Sequence, residues 1–436
     1  MSPDSEDNDP TMPKAYRRSY LSEKKIKEAD SNCDTRLDYF VAKQSLTGGN
    51  IITSINSGEE VKLNRNSYLN THRDAWVEVN LDSIEKNILQ FKKYLKPNTK
   101  LFAVVKADAY GHGAVMIAPI LIASGVDFLG VSSIDEALQL REAKITTPIL
   151  VLGAVPVWSF DWAATNNISI SIFSEEHIEA CKQTYEKTKI KTKVHIKIDT
   201  GMNRIGVNPE NAIEFIKKIQ ACDFIELEGI FTHFATAESE TYTLGQYKKF
   251  RAVVNAIDST NLLIHCCNTA AVVSYNNFDY NMARVGIGIY GLQPDIIESA
   301  TAPNLKQAIS LKGRITNIHT AKANEGVSYS HTFETQNVTK IATIPLGYAD
   351  GVPRGLSNKI FGIINGKKVK QIGNITMDQM MFDITSCDAA EGDIITLLGE
   401  DSGEFISVDE WAKILNTIHY EITCALRVRL PRVYTR

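Results

Sequence analysis

From residue 74 onward, short apolar segments that are typical of β-strands alternate with longer segments of helical periodicity. The strand candidates are residues 76–81, 101–105, 127–131, 148–152, 168–172, 194–198, 225–231 and 262–265. Most of them precede a helical segment, and this alternation predicts a parallel sheet covered by helices. Eight such units in about 230 residues match a closed (β/α)8 barrel, with a doubly wound open sheet as the alternative. The predicted fold class is therefore α/β, built on a TIM-type barrel.

The first of these units also indicates how its helix begins. Asp82 lies three residues before Glu85, a spacing that is typical of a capped helix N-terminus. Ile84, Ile88, Phe91 and Leu95 then follow at helical spacing. We expect the helix to begin near Asp82 and to bury these four apolar side chains on one face.

The sequence changes character on both sides of the predicted barrel. Beyond residue 305, strand-like runs at 340–344, 360–364 and 393–398 alternate with glycine turns and predict a second, mostly β domain. The residues before 73 are rich in Ser, Asn, Asp, Glu and Lys, and we expect part of this segment to be disordered. The predicted division is a polar N-terminal extension at 1–72, the barrel at 73–305 and a C-terminal β domain at 306–436.

The composition excludes several classes of protein. A hydrophobic share of 44% and a charged share of 22% in 436 residues are typical of a globular protein, and the net charge of -4 gives no basic footprint for nucleic acid. No apolar run is long enough for a membrane helix, and the N-terminus lacks the pattern of a signal peptide. Seven cysteines without a C-x-x-C pair, and nine histidines without a metal-binding spacing, favour reduced thiols, a cytoplasmic location and no metal site.

The most unusual residue of the predicted barrel is Lys106, which ends the apolar segment at 101–105 and precedes a turn rich in glycine at 107–113. The carboxyl ends of barrel strands are where the active sites of this fold gather. An amine beside apolar walls loses its proton more easily than an amine in water, and it can then attack a carbonyl carbon. The ordinary alternative for a lysine at a strand end is a surface charge or an ion pair.

A second polar cluster falls on the strand candidate at 194–198. His195, Lys197 and Asp199 alternate with aliphatic residues, so they are predicted to point into the barrel lumen. A buried Lys197 needs a partner or a modification, since an isolated buried ammonium is costly. Arg204, in the loop that follows, offers a bidentate fork for a carboxylate.

A G-x-G-x-x-G pattern occurs at Gly286, Gly288 and Gly291, but it does not predict a dinucleotide site. The pattern comes late in the barrel, no long helical pattern begins at it, and no acidic residue follows about 20 positions later. The backbone amides of Gly286 and Ile287 can instead bind a single phosphate, as the loops after the last strands of a barrel often do. A phosphate site at Gly286 and Ile287, an amine nucleophile at Lys106 and a carboxylate anchor at Arg204 are together consistent with one active site.

Several separated motifs resemble those of the alanine racemase family, and their order matches from about Arg73 to Arg436. The matching segments are residues 105–113, 197–206, 232–235, 268–271, 283–287, 327–329, 347–351, 377–379 and 430–434. The resemblance implies a pyridoxal phosphate enzyme with a barrel and a C-terminal β domain. It implies racemisation of L-alanine and D-alanine, a supply of D-alanine for peptidoglycan, and a homodimer with shared active sites.

The resemblance assigns catalysis to Lys106 and Tyr329. Lys106 would bind the cofactor and act as a base on one face of the substrate Cα, and Tyr329 would act on the opposite face. A tyrosine ordinarily has a pKa of about 10, so as a base it needs nearby positive charge, for which Arg204 and His233 are candidates. In the family, Tyr329 and Met377 come from the neighbouring subunit.

The other site residues implied by the resemblance bind cofactor or substrate. The cofactor-binding set is Lys106, Tyr110, His233, Asn268, Thr269, Arg284, Gly286, Ile287 and Tyr434. Within it, Arg284 would contact the pyridine nitrogen and, because arginine keeps its own proton, would leave that nitrogen largely unprotonated. Arg204, Met377 and Tyr348 would meet the substrate. Lys197 matches a lysine that is often carbamylated in the family, which would turn it into an anion able to orient Arg204.

The sequence also departs from the family pattern. Asn374 stands where many relatives carry arginine, Thr269 replaces a frequent serine, and Ser330 replaces a frequent glycine. Thr269 keeps a hydroxyl, whereas Asn374 loses a charge that bears on dimer contacts or substrate preference. The alternatives are a broad-specificity amino acid racemase, a decarboxylase of the same architecture, and a non-catalytic protein that binds pyridoxal phosphate. The β domain and Tyr329 argue against the last of these, and Lys197 favours the alanine enzyme.

Overall fold

The structure is a computed structural model that describes residues 39–44, 50–55, 73–275, 278, 280–426 and 429–436. The predicted polar extension at 1–72, and the disorder expected for part of it, therefore lie largely outside the described residues. Within that extension, strands β1 (Tyr39–Gln44) and β2 (Asn50–Ile55) pair with each other. The elements from β3 onward belong to the compact unit that contains Lys62–Arg436.

A parallel sheet of eight strands forms the first part of this unit. Its strands are β4 (Lys100–Val104), β5 (Phe128–Val131), β6 (Ile149–Ala154), β7 (Ser169–Ile172), β8 (Thr192–Lys197), β9 (Ile225–Phe231), β10 (Leu263–His265) and β11 (Met282–Val285). Their order is β10–β9–β8–β7–β6–β5–β4–β11, so the last strand of the sequence pairs with the first. This order is that of a (β/α)8 barrel and confirms the predicted α/β fold class.

Helices alternate with these strands and continue into the C-terminal part. They are α1 (Leu81–Lys92), α2 (Ala114–Ala123), α3 (Ile134–Glu142), α4 (Phe160–Thr165), α5 (Glu175–Thr188), α6 (Pro209–Gln220), α7 (Glu240–Asn255), α8 (Thr269–Ser274), α9 (Val408–Leu415) and α10 (His419–Ala425). Short 3-10 turns lie at Val157–Ser159, Ile287–Tyr290, Tyr329–His331, Tyr348–Asp350 and Arg354–Leu356. Across the described ranges, no helix combines the length and the apolar character that crossing a membrane requires.

The second part is a mostly antiparallel sheet of ten strands. Its strands are β3 (Ala75–Asn80), β12 (Ile309–Arg314), β13 (Asn317–Ala321), β16 (Thr339–Ile344), β17 (Phe361–Ile364), β18 (Lys367–Ile372), β19 (Met380–Asp383), β20 (Ile394–Asp401), β21 (Glu404–Ile406) and β22 (Arg432–Thr435). The order is β13–β16–β19–β18–β17–β20–β12–β3–β22, with β21 paired to β20. Strands β14 (Gly326–Val327) and β15 (Phe333–Glu334) form a separate pair. The predicted β domain is thereby confirmed.

The strand predicted at 76–81 exists, but its assignment to the barrel is wrong. It forms β3, which pairs antiparallel with β12 and parallel with β22 in the C-terminal sheet. Val77 and Val79 are buried while Glu78 between them is half-buried, a pattern that suits a sheet with one covered face rather than a barrel strand buried on both faces. The eighth barrel strand is β11. The domain boundaries at 72–73 and 305–306 stay a prediction.

The side chain of Asn281 joins β10 and β11, the two ends of the barrel sheet. Its Oδ1 accepts a hydrogen bond from the backbone N–H of Ile264 (2.8 Å), and its Nδ2 donates to the carbonyl of Leu262 (2.8 Å). Its own carbonyl accepts from the N–H of Lys100 (2.8 Å), at the start of β4. One side-chain amide thus satisfies backbone groups across the seam and closes the barrel.

Helix α1 buries the predicted apolar face but begins one residue earlier than expected. Its N-cap is Asn80, whose side chain accepts from the N–H of Ser83 (2.7 Å), so the prediction of a start near Asp82 is corrected by one position. Ile84, Ile88 and Phe91 are fully buried, as predicted, whereas Leu95 lies beyond the helix end at Lys92 and is half-buried.

Candidate active site

Lys106 follows β4 and opens a tight helical turn that ends at Tyr110. The four residues from Ala107 to Tyr110 have φ between 51° and 54°. This is the left-handed region of the backbone, which costs an L-residue roughly 1–2 kcal/mol. A run of four such residues persists only where the surroundings hold it in place, and backbone of this kind is concentrated at functional sites.

Side chains from neighbouring elements hold this turn. The carboxylate of Glu136 accepts from the backbone N–H of Ala107 (2.7 Å) and from that of Ser132 (2.7 Å). The Asp108 carboxylate accepts from the N–H of Ala114 (2.7 Å), at the start of α2. The geometry of the turn is therefore fixed at both ends, and Lys106 leaves it at a defined position.

The Lys106 amine is half-buried at this end of the barrel. Burial lowers the pKa of the amine, and the positive charge of Arg204 lowers it further, while Cys424 and Glu136 act in the opposite direction. A larger fraction of this amine is therefore neutral than for a lysine in water. A nucleophile or base needs such a neutral amine, and the role of Lys106 as one stays a prediction.

Arg284, in β11, is buried and held by several acceptors. Its guanidinium donates to the carbonyls of Thr232 (2.8 Å), Cys266 (3.0 Å) and His265 (3.2 Å), and to the ring Nδ1 of His265 (2.7 Å). Burial lowers the pKa of Arg284 to about 10, which leaves the group charged at neutral pH. Arg284 is thus a fixed cation at the barrel centre.

His233 lies beside this cation, and its ring Nδ1 is 3.4 Å from a guanidinium nitrogen of Arg284. Burial lowers the pKa of His233 well below the ordinary value. Four positive charges lower it further, those of Arg284, Lys197, Arg204 and Lys106. The prediction that His233 supplies positive charge to Tyr329 is therefore wrong, because the imidazole is neutral at neutral pH. The same four charges show that these basic residues share one end of the barrel.

A small cradle lies at Gly286, after β11, beside two hydroxyl side chains. Its N–H donates to the hydroxyl of Thr269 (2.9 Å), and a Cβ at this position would lie 2.8 Å from the hydroxyl of Tyr110. Ile287 is buried and begins the 3-10 turn that follows. Asn268 caps α8 by accepting from the N–H of Ala271 (3.0 Å), so its side chain shapes the start of this helix beside the cradle.

The C-terminal strand supplies a further hydroxyl to the turn after Lys106. The Tyr434 hydroxyl donates to the carbonyl of His112 (3.1 Å), and a Cβ on Gly113 would overlap this hydroxyl. Burial raises the pKa of Tyr434 and that of Tyr110, so both phenols stay protonated and can donate. The structure thus brings Tyr110, Thr269, Gly286 and Tyr434 around the segment that carries Lys106.

Lys197, the last residue of β8, is buried among apolar and aromatic groups. Its Nζ donates to the carbonyl of Ile198 (3.0 Å) and lies 5.5 Å from the ring centre of Phe231. Burial lowers the pKa of Lys197 to about 7, with the charge of Arg284 acting in the same direction and that of Asp199 opposing it. The prediction of a costly buried lysine in the lumen agrees with this placement.

Asp199 lies two residues beyond the end of β8, and its position in the lumen stays a prediction. Its carboxylate accepts from the backbone N–H groups of Gly201 (3.0 Å) and Asn203 (3.0 Å). These bonds shape the loop that carries Arg204, whose side chain is exposed. Asp199 therefore organises this loop.

The remaining predicted site residues lie on the C-terminal domain and are exposed in the single chain. Tyr329 is 71% exposed, Met377 53% and Tyr348 41%. Tyr348 and Met377 lie on adjacent loops, since the N–H of Ala349 donates to the carbonyl of Met377 (3.0 Å). The Asn374 side chain donates to the carbonyl of Tyr329 (2.8 Å), so the residue that departs from the family pattern supports the tyrosine loop.

Sequence reasoning missed Glu136 and His265 as parts of this site. Glu136 holds the Lys106 turn, and His265 contacts Arg284. Glu136 and His265 each contact a residue that is distant in the chain, so no local sequence motif marks either of them. The one signal for His265 was its position at the end of a barrel strand candidate, where site residues gather.

Comparisons with known proteins agree with this architecture. Two family models match, alanine racemase, N-terminal domain, over residues 79–294 and alanine racemase, C-terminal domain, over residues 308–434. Alanine racemase 1 of Oceanobacillus iheyensis is 41% identical over 373 residues, covering 84% of this chain and 99% of that protein.

Solved structures extend the similarity. An alanine racemase of Clostridium difficile is 36% identical with a TM-score of 0.79, covering 84% of this chain and 96% of that chain. A histidine racemase of Leuconostoc mesenteroides is 28% identical with a TM-score of 0.77, covering 84% and 99%. Both the barrel and the β domain are therefore shared with racemases of known structure.

Proposed function

The chain belongs to the alanine racemase family, and we propose that Lys106 and Tyr329 are the two bases with which it interconverts L-alanine and D-alanine. It is an isomerase, and its reaction is the racemisation of alanine. Inversion at Cα requires that a proton leaves from one face and returns on the other, which suits two separate bases. The half-buried Lys106 amine with its lowered pKa is the observation that supports this proposal most strongly.

The residues at this end of the barrel fit pyridoxal phosphate as the cofactor. The Gly286 cradle, which a Cβ would fill, and the hydroxyls of Tyr110, Thr269 and Tyr434 suit a phosphate, and Arg284 suits a ring nitrogen. When bound, the cofactor withdraws electrons and makes the substrate Cα–H acidic. The residues proposed to hold it are Lys106, Tyr110, His233, Asn268, Thr269, Arg284, Gly286, Ile287 and Tyr434.

Lys106 and Tyr329 move protons in the proposed reaction. The neutral Lys106 amine takes a proton at Nζ from one face of the substrate, and Tyr329 holds or returns one at its hydroxyl on the other face. Tyr329 and Met377 project from the C-terminal domain and are exposed, so we propose that they complete the site of a second copy in a homodimer. Arg204, Met377 and Tyr348 are proposed to position the substrate.

Lys197 is proposed to carry a carbamate. With a pKa of about 7, a large part of the Lys197 amine is neutral at neutral pH and can add to carbon dioxide. In this step the nitrogen forms a bond to the carbon of CO2 and one proton goes to water, which leaves an anion. An anion here would replace a costly buried cation by a group that attracts Arg204 and Arg284.

A racemase of wider amino acid scope is the second candidate. Asn374 supports it, because this position lacks the charge that arginine gives many relatives, and a histidine racemase shares the same fold. The match to the C-terminal family model argues against a barrel-only protein that merely binds the cofactor. We propose a supply of D-alanine for peptidoglycan as the role of the reaction.

The test is exchange of the Cα hydrogen of each alanine enantiomer in heavy water. We expect the wild type to exchange and racemise both, Lys106→Ala to lose exchange, and Tyr329→Phe to lose racemisation while exchange persists for one enantiomer only. Full exchange of both enantiomers by Tyr329→Phe would exclude the two-base assignment. Tyr242→Phe, which removes an equally exposed hydroxyl on α7, is the matched control. Serine and histidine, offered as substrates in the same assay, measure the range of amino acids that the enzyme accepts.

A further inference from the structure

A line of polar side chains crosses the barrel interior, away from the proposed catalytic groups. Arg284 contacts Nδ1 of His265 (2.7 Å), Nε2 of His265 contacts Nδ1 of His195 (2.9 Å), and Nε2 of His195 lies 3.6 Å from a carboxylate oxygen of Glu228. Both histidines are fully buried, and Glu228 is mostly buried. The line thus joins the cation at the barrel centre to a carboxylate in β9.

The two ends of the line determine where each proton lies. A guanidinium can only donate, so Nδ1 of His265 accepts and its Nε2 carries the proton. That Nε2–H donates to Nδ1 of His195, which leaves the His195 proton on Nε2, facing Glu228. A carboxylate can only accept, so it agrees with this arrangement. All donors therefore point from Arg284 toward Glu228, whose contact with Nε2 of His195 at 3.6 Å is ionic and longer than a hydrogen bond.

Aromatic rings restrict the two imidazoles. The His265 ring is stacked on Phe231, with centroids 4.9 Å apart and planes at 1°, and the His195 ring meets the edge of Phe128 at 5.9 Å. A ring flip of either histidine has to displace these neighbours in a close-packed interior. The two rings are therefore held in place, and only the position of the proton on each ring can change.

Glu228 is held as an anion at the far end. Ser169 donates its hydroxyl to the carboxylate, and the ammonium of Lys193 lies 3.5 Å away. Burial alone would raise the pKa of Glu228, but the contacts with His195, Ser169 and Lys193 lower it overall. Lys193 is partly exposed, so this end of the line lies near the surface.

We propose that Glu228 is a positioning residue for the racemisation, because its charge favours the same tautomers of His195 and His265 that the contact with Arg284 requires, and so helps to hold Arg284 in place. This inference rests on the proposed role of Arg284 beside the cofactor ring. If His265 carried its proton on Nδ1, two donors would face each other at 2.7 Å and the guanidinium would have to move. A side-chain amide at 228 can donate as well as accept, so it no longer selects one tautomer.

The test compares Glu228→Gln with Glu226→Gln in the holoenzyme. Glu226 is the matched control, because it lies on the same strand, also contacts Lys193 (3.8 Å), and is half exposed. We expect Glu228→Gln to lower kcat on the order of tenfold with KM for alanine little changed, as the loss of an outer partner of an imidazole commonly does. Glu226→Gln should behave as the wild type, and Glu228→Asp should recover most of the rate.

Nitrogen-15 shifts of the histidine rings provide a readout that does not depend on turnover. In the wild type, Nε2 of both histidines should be protonated and Nδ1 should accept, and in Glu228→Gln these signals should become mixtures, with His195→Asn used for assignment. Wild-type tautomers of the opposite kind, unchanged shifts in Glu228→Gln, or equal rates for the two glutamine variants would each overturn the proposal. A wild type that does not racemise alanine would overturn the proposed function instead, while the ring shifts would still decide the tautomers.

Discussion

At the scale of single residues, the site is defined by which cation keeps its charge. Arg284 is buried and its pKa is lowered only to about 10, whereas burial and nearby positive charge lower the pKa of Lys197 to about 7 and also lower that of Lys106. The guanidinium therefore remains the permanent charge, and the two lysines are the groups that release protons. A barrel end that combines guanidinium groups with two amines of lowered pKa is suited to proton transfer.

The pKa of Lys197 predicts a pH-dependent stability. The folded value of about 7 lies below the ordinary 10.5, so between these values the unfolded chain binds a proton that the folded chain does not, and stability falls as the pH falls through this window. In carbon dioxide-free buffer, Lys197→Met should therefore be more stable than the wild type at pH 7, by on the order of 4 kcal/mol at most. This difference in stability should become smaller toward pH 9.5. Unfolding in guanidinium chloride at pH 7 and pH 9.5 measures the free energy of unfolding of both proteins.

Two controls separate burial from surface effects at Lys197. Lys368→Met, which removes an exposed lysine, should show no such pH trend. Added bicarbonate should stabilise the wild type and leave Lys197→Met unchanged, because only the lysine can form a carbamate. An advantage of Lys197→Met that is the same at pH 7 and pH 9.5 would contradict the assigned pKa.

Sequence reasoning found those residues whose local position is unusual. Lys106 and Lys197 each end an apolar strand, so a charge in that place requires an explanation. The left-handed turn and the Glu136 carboxylate that holds it could not be predicted, because the backbone of Ala107 meets Glu136 only through the folding of a different unit. The same holds for the neutral state of His233, which depends on charges from four separate segments.

At the scale of elements, the turn from Lys106 to Tyr110 stores backbone strain beside the reactive amine. Ala107 is exposed with φ of 52°, so its Cβ contributes strain but little packing. Ala107→Gly should stabilise the protein by about 0.5–1 kcal/mol, since relief of roughly 1–2 kcal/mol of left-handed strain outweighs the greater flexibility of glycine in the unfolded chain. A rise in the midpoint of thermal unfolding measures this gain.

Gly111 provides the opposite comparison in the same turn. It has φ of 85°, and a Cβ there would overlap the carbonyl of Thr423, so Gly111→Ala should destabilise by at least about 2 kcal/mol. If Ala107→Gly lowered the midpoint as Gly111→Ala does, the strain assigned to Ala107 would be refuted.

Element periodicity predicted most of the barrel correctly, with two errors. A period-two pattern shows that a segment is a strand, but the partner of that strand is set by tertiary packing. Thus β3 was recognised as a strand and placed in the wrong sheet. Strand β11 was missed because Arg284 interrupts its apolar pattern, whereas β5 and β7, of the same length, were found. The Asn281 bonds that close the barrel have no sequence pattern at all.

At the scale of the whole molecule, the proposed site is divided between two surfaces. Lys106 and Arg284 are set into the barrel end, whereas the hydrogen bonds of the Tyr329 loop and of the loops that carry Tyr348 and Met377 lie within the C-terminal domain. Tyr329, Met377 and Tyr348 are 41–71% exposed on one domain, and exposed apolar groups that lie close together mark interaction surfaces. A second copy of the chain that covers them would unite both halves of the site.

If each site takes Lys106 from one chain and Tyr329 from the other, two inactive variants should restore activity when they are mixed. When equal amounts of Lys106→Ala and Tyr329→Phe chains are unfolded and refolded together, half of the dimers should contain one of each, and each such dimer has one site with both bases intact. The mixture should then regain about a quarter of the wild-type activity, as expected for random pairing in a twofold-symmetric dimer. Lys106→Ala refolded with the double variant Lys106→Ala/Tyr329→Phe should regain none, since every site lacks the lysine. If each chain supplied both bases to its own site, no mixture of the two single variants would recover activity.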